Sequence, residues 1–128
     1  MKALAARIGD ADFERSLGHA WRVRDALVHL AFWDLRAVAL IERFEKQGVN
    51  ASPADVDAIN EAVRALGGSI PPHAAVTLAV RAAEAVDRKI EALPDRIVEA
   101  IPAAGNPFNL TRYVHRAEHL DEIERALS

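Results

Sequence analysis

The stretch from Ala20 to Lys46, AWRVRDALVHLAFWDLRAVALIERFEK, decides the fold. Val23, Leu27, Leu30, Asp34, Val38 and Ile41 recur at three- and four-residue steps, with Ala31 and Phe44 beside them. That spacing puts them on one face of a helix, and it does not fit the two-residue period of a strand. At ~1.5 Å per residue the helix would run about 40 Å. Gly48 is placed to end it.

The flanking segments also read as helical. Before this helix, Met1 to Ile8 suits one or two turns, and Asp10 or Asp12 suits the cap of a short helix through Ser16, with Gly18 as a break. After it, Ser52-Pro53 predicts a helix start, with Ser52 as N-cap and closure at Gly67-Gly68. Pro71-Pro72 opens a third long helix to about Leu93, whose face carries Ala75, Ala79, Ala82 and Val86. Such small side chains let another backbone come close. Pro94 stops that helix, Asp95 to Ala100 adds a short turn, and Pro102 to Asn106 is a loop. The last helix begins after Asn106-Pro107 or Asn109 and runs to Leu127, with Leu110, Tyr113, Val114, Ala117, Leu120 and Ile123 as its apolar stripe. No strand pattern or internal repeat is visible. The expectation is an all-α, antiparallel bundle, with residues 1–128 as one domain.

Composition narrows the function. Sixteen Lys and Arg stand against nineteen Asp and Glu, a net charge of −3, and the arginines are dispersed among acids. A basic face for nucleic acid or for a membrane surface is therefore not expected. No apolar run is long enough to span a bilayer. There is no cysteine, which excludes disulfides, thiolate metal sites and a cysteine nucleophile. With no signal-peptide pattern at the N-terminus, this predicts a cytoplasmic location.

Five histidines remain as chemistry-bearing residues. His115 and His119 are four apart on a helical segment, so their rings stack one turn apart and can reach one ion. A third ligand must come from another helix, and His29 is the best placed. Wheel positions put His115 and His119 off the centre of their stripe and His29 at the flank of its own, so the three either line a cleft or stand in solvent. Spacing leaves both readings open. His19 and His73 fall at helix starts and carry no site. Asp34 lies near the middle of an apolar arc, where a carboxylate needs water, a ligand histidine or an arginine. Trp21 and Trp33 read as core packing, with a pocket wall as the other possibility.

Read together, two motifs resemble the DinB-like superfamily, including its thiol-dependent maleylpyruvate isomerase N-terminal branch. Trp21-Arg22-Val23-Arg24-Asp25-Ala26-Leu27-Val28-His29 is similar to that family's Trp-led second helix with a metal histidine eight residues on. The segment Asn106 to Ile123, with His115, His119 and a following Leu120-x-x-Ile123, is similar to its last helix. The resemblance implies a four-helix bundle with an extra helix between the second and third. It also implies a divalent metal, zinc or nickel, held by His29, His115 and His119, and a transferase or isomerase activity using a low-molecular-weight thiol and a small electrophilic substrate. Asp34, Glu118 and Glu122 would be candidates to orient the ligands. The family's first helix is longer than the seventeen residues before Gly18 here. Either the start is shortened or a partner subunit completes the packing, and a homodimer is expected. The competing readings are a non-catalytic small-molecule binder and a helical dimerisation protein.

Overall fold

A computed structural model describes all residues, 1–128. It contains six helices, α1 (Lys2–Arg7), α2 (Val23–Gln47), α3 (Val56–Gly67), α4 (Pro72–Glu91), α5 (Asp95–Ala103) and α6 (Arg112–Leu127), and a 3-10 helix at Asp10–Glu14. A two-stranded antiparallel ribbon pairs β1 (Ser16–Gly18) with β2 (Trp21–Arg22). No helix is long and apolar enough to cross a membrane.

The ribbon corrects the expectation of no strand and moves the start of the long helix from Ala20 to Val23. His19 and Ala20, at φ 54° and 62°, form its two-residue turn. Left-handed values at both positions match the twist of paired strands, a job usually given to Asn-Gly. Strands of two and three residues are too short to show alternation. The first turn of α2 is closed by Asp25, whose carboxylate accepts from the Arg22 amide at 2.9 Å and from its guanidinium. Gly48 ends α2 at φ 84°, as its position predicts.

Ser52 is not the cap of α3. Asp55 is, accepting from the Ala58 amide at 3.1 Å, while the Ser52 carbonyl and hydroxyl oxygens accept from Arg36. Gly67 is buried against α2, where a Cβ would come within 3.3 Å of Asp25 Oδ1. Its absence of a side chain therefore sets helix spacing as well as ending α3. On α4, Ala75, Ala79, Ala82 and Val86 are all buried, and this small-residue face lies along α2. Further on, α5 continues to Ala103, past the expected short turn, and α6 starts only at Arg112.

The largest departure is the face that α6 buries. Of its expected stripe, Tyr113 and Val114 are 65% and 42% exposed, and only Ile123 is fully enclosed. Arg112 and Arg116 are buried instead. Their counter-charge is Asp34, 0% exposed, which accepts from Arg112 Nε at 2.8 Å and from Arg116 Nη2 at 3.4 Å. Arg116 also holds Asp87 of α4 through two hydrogen bonds. Apolar clusters lie on both sides of this ionic layer. One gathers Phe13, Leu27, Ala79 and Ile123, and the other Ile41, Phe44, Ile97 and Phe108. A carboxylate at the centre of α2 selects arginines, not leucines, on the helix it meets, since a buried charge without a partner is costly. Of the partners open to Asp34, the structure supplies arginine.

Candidate metal centre

Because α6 turns its polar face inward, the histidines next to its buried arginines come with it. His115 and His119 face α2, and His29 meets them from there. Ring centroids are 5.1 Å apart for His29–His115, 4.7 Å for His29–His119 and 4.8 Å for His115–His119. One nitrogen from each ring lies within 4.8 Å of the others, close enough to hold a metal ion. Around a tetrahedral zinc, nitrogens at 2.0–2.1 Å from the ion stand about 3.3 Å from one another. Ring rotations that draw the most separated nitrogens together by roughly 1.5 Å would complete such a site. His29 is only 6% exposed, deeper than its place at the flank of the apolar arc implies.

The hydrogen bonds fix the proton on two of the rings. The Trp33 indole can only donate, and it donates to Asn60 Oδ1 at 3.0 Å. That places the amide oxygen toward His29 Nδ1, 3.2 Å away, so Nδ1 carries the proton and donates. His29 Nε2 is left as a bare lone pair, the form a metal ligand needs. His115 is ordered from the other side. Arg112 Nη2, again only a donor, gives a hydrogen bond to His115 Nδ1 at 2.9 Å. The proton of His115 therefore sits on Nε2, which donates to His29 Nε2 at 3.2 Å. Two independent starting points, Trp33 and Arg112, give one consistent direction along the chain.

His119 completes the set with an orphan. Its Nδ1 is buried and has no hydrogen-bond partner, and Glu122 Oε1 is 3.8 Å away. That carboxylate is the kind of acceptor to which a ligating histidine gives its second N–H. Burial also keeps the rings neutral. It lowers His29 to about 4, aided by the charges of His119 and Arg112. It lowers His115 to about 3, with Arg112 next in effect. His119 is lowered too, chiefly by burial, against the pull of Glu122 and Glu118. Neutral imidazoles are the metal-binding form.

The three rings open onto a cavity of about 510 Å³, with Trp21, Trp33, Asn60, Arg112 and Glu122 in its wall. Both tryptophans are thus wall residues and not the core packing expected of them. Trp21 sits edge-on to His29 with centroids 5.0 Å apart. Of the candidate orienting acids, Glu122 lines the cavity and Asp34 acts only through Arg112. Glu118 is exposed and does not line it. Away from the centre, His73 pairs with Asp10 at 2.6 Å on the surface. His19 forms the ribbon turn at the cavity's rim. Sequence reasoning missed Asn60 and Arg112. A signal existed for Arg112, since a carboxylate in the apolar arc of α2 requires a cation and Arg112 stands one turn before His115.

No family model, curated protein or solved structure matches this chain. The geometry of the site therefore carries the functional argument.

Proposed function

We propose that the chain is a DinB-like antiparallel four-helix bundle that holds one divalent ion, zinc or nickel, through His29, His115 and His119. In this reading it transfers or isomerises a small electrophile with the help of a low-molecular-weight thiol. The observation that carries the reading is the convergence of three neutral imidazoles from α2 and α6 at the floor of a cavity. The two motifs that resemble the DinB-like superfamily support it from the sequence.

Three histidine ligands leave at least one coordination position open, so a bound ion would supply Lewis acidity and lower the pKa of a coordinated thiol. The chain's own residues do the rest. Asn60 holds His29 with its Nε2 lone pair toward the centre. Glu122 is positioned to accept a hydrogen bond from His119 Nδ1 once the rings close. Trp21 and Trp33 offer an apolar wall to the substrate and limit water around it. With no cysteine in the chain, the thiol must come as a cosubstrate. The six-residue α1 is shorter than the first helix of the family it resembles, and the reading includes a homodimer on that ground.

The test is elemental analysis of protein purified without a histidine tag. About one divalent ion per chain is expected for the wild type, and loss of it for His29→Ala with unchanged helical circular dichroism. Equal metal content in both proteins overturns the assignment. The cavity also favours a second reading, a binder of small apolar molecules with no chemistry. Thiol transfer to a generic electrophile by the metal-loaded protein separates the two.

A further inference from the structure

Arg112 is in the wrong place for a metal-site neighbour. A histidine that binds an ion through one nitrogen normally donates a proton from the other, to a carboxylate, carbonyl or water. His29 obeys this rule with Asn60. His115 breaks it, because its Nδ1 faces a guanidinium that can only donate. The hydrogen bond from Arg112 forces the His115 proton onto Nε2, the nitrogen turned toward the other rings. A neutral His115 cannot accept from Arg112 at Nδ1 and give a lone pair at Nε2 to an ion. Flipping the ring does not rescue both contacts, since a carbon then meets the guanidinium.

Ion binding and the Arg112–His115 hydrogen bond therefore exclude one another. When the rings draw in on an ion, Arg112 Nη2 loses its acceptor. Nε stays fixed to Asp34 at 2.8 Å, which keeps the guanidinium in place. Nη1 makes no hydrogen bond within the protein. The end of the guanidinium would then present two parallel N–H groups, the arrangement that matches a carboxylate. Those N–H groups face the cavities that Arg112 lines, so a ligand entering there can supply the acceptor that His115 gives up. Arg112 also lies where two cavities meet. It lines the histidine cavity and a second one of about 530 Å³ that contains Arg36, with Trp33 and Val56 shared between them. Among the charged residues of the two walls, Arg112 and Arg36 outnumber Glu122, and an ion would add to the positive side.

Resting on the metal reading above, we infer that ion binding unmasks Arg112 as a carboxylate-binding group, so that the loaded protein takes small carboxylate ligands. The cleft beside it, walled by two tryptophans, favours an aromatic acid.

The experiment combines a zinc titration with nitrogen-15 spectra of the histidine rings, and with calorimetric binding of benzoate. In the metal-free protein His115 Nδ1 should be unprotonated and His29 Nδ1 protonated. Zinc should move the His115 proton onto Nδ1. Benzoate should bind the zinc-loaded wild type at least about tenfold more tightly than the metal-free protein, and about tenfold more tightly than zinc-loaded Arg112→Lys, whose amine keeps a charge for Asp34 but lacks the paired donors. Zinc uptake with His115 Nδ1 still unprotonated overturns the inference and leaves the metal reading standing, as does benzoate binding that ignores zinc or the Arg112→Lys change. A wild type that takes no zinc overturns both. If Arg112→Lys fails to fold, the nitrogen-15 signal of His115 Nδ1 in the zinc-loaded wild type still decides, because benzoate binding to the open position of the zinc would leave that readout unmoved.

Discussion

Replacing Asp34 by alanine should be the most damaging single change at a charged position. Asp34 is completely buried and is the sole acid paired with Arg112, itself 7% exposed. Arg116 would keep Asp87, whose side chain is 46% exposed, so only one guanidinium is stranded. Breaking a buried pair by removing one partner costs about 3–5 kcal/mol. Unfolding entropy is about 2.1 cal/mol/K per residue near 60 °C, or roughly 270 cal/mol/K for a chain of 128 residues. The expected fall in Tm is therefore about 11–19 °C, and the loss is a large part of the 5–15 kcal/mol that stabilises an ordinary domain. Asp87→Ala is the control. It removes a half-exposed partner while Arg116 keeps Asp34, so about 1 kcal/mol or less, near 4 °C, is expected. Differential scanning calorimetry of both variants at one pH reads the difference. If Asp34→Ala costs no more than Asp87→Ala, the ionic layer does not hold α6 to α2 and the account of its buried polar face is wrong.

Three further outcomes follow from the same structure. His29 and His115 are neutral in the fold because burial lowers them to about 4 and 3. The unfolded chain takes up their protons near pH 6.5, so stability should hold above that value and fall progressively toward pH 4; urea midpoints that stay flat from pH 7 to 4.5 contradict the neutral rings. For the same reason, zinc should remain bound at pH 6, where ordinary histidines are releasing it. Asn60→Ala removes the acceptor shared by His29 and Trp33 and should weaken zinc about 10–100-fold in a competition titration with a chromophoric chelator, while an unchanged affinity would show that Asn60 does not set the His29 tautomer. Ala20→Gly relieves a left-handed backbone position at φ 62° and should raise stability by about 1 kcal/mol in urea unfolding, whereas a loss would mean that the turn is not strained.

What the chain declared in advance, and what it withheld, follows the range of the forces involved. The helices were legible where local signals act. Pro72 at the first turn of α4, Gly48 after α2 and the alanine face of α4 all stand where sequence periodicity puts them. The pair His115 and His119 was legible from the same periodicity. The ribbon was not, because its turn uses His19 and Ala20 in a conformation neither residue advertises. The inward face of α6 was also hidden. Wheel arithmetic assumes that the apolar side is buried, and here a carboxylate 78 residues earlier reverses that choice for Arg112. Asn60 was invisible for a related reason, since its importance lies in a shared contact with His29 and Trp33, 31 and 27 residues away.

The separation of the histidines along the chain has a mechanical meaning. His29 and His115 are 86 residues apart, so a shared ion would cross-link positions near opposite ends of the polypeptide. A staple of that span acts on the disordered chain, where closing so large a ring forfeits the most freedom. It would also make occupancy a gauge of global integrity, because α6 cannot detach from α2 without giving up at least one ligand. A nick in the linkers between them would leave the ion as a clasp joining two fragments.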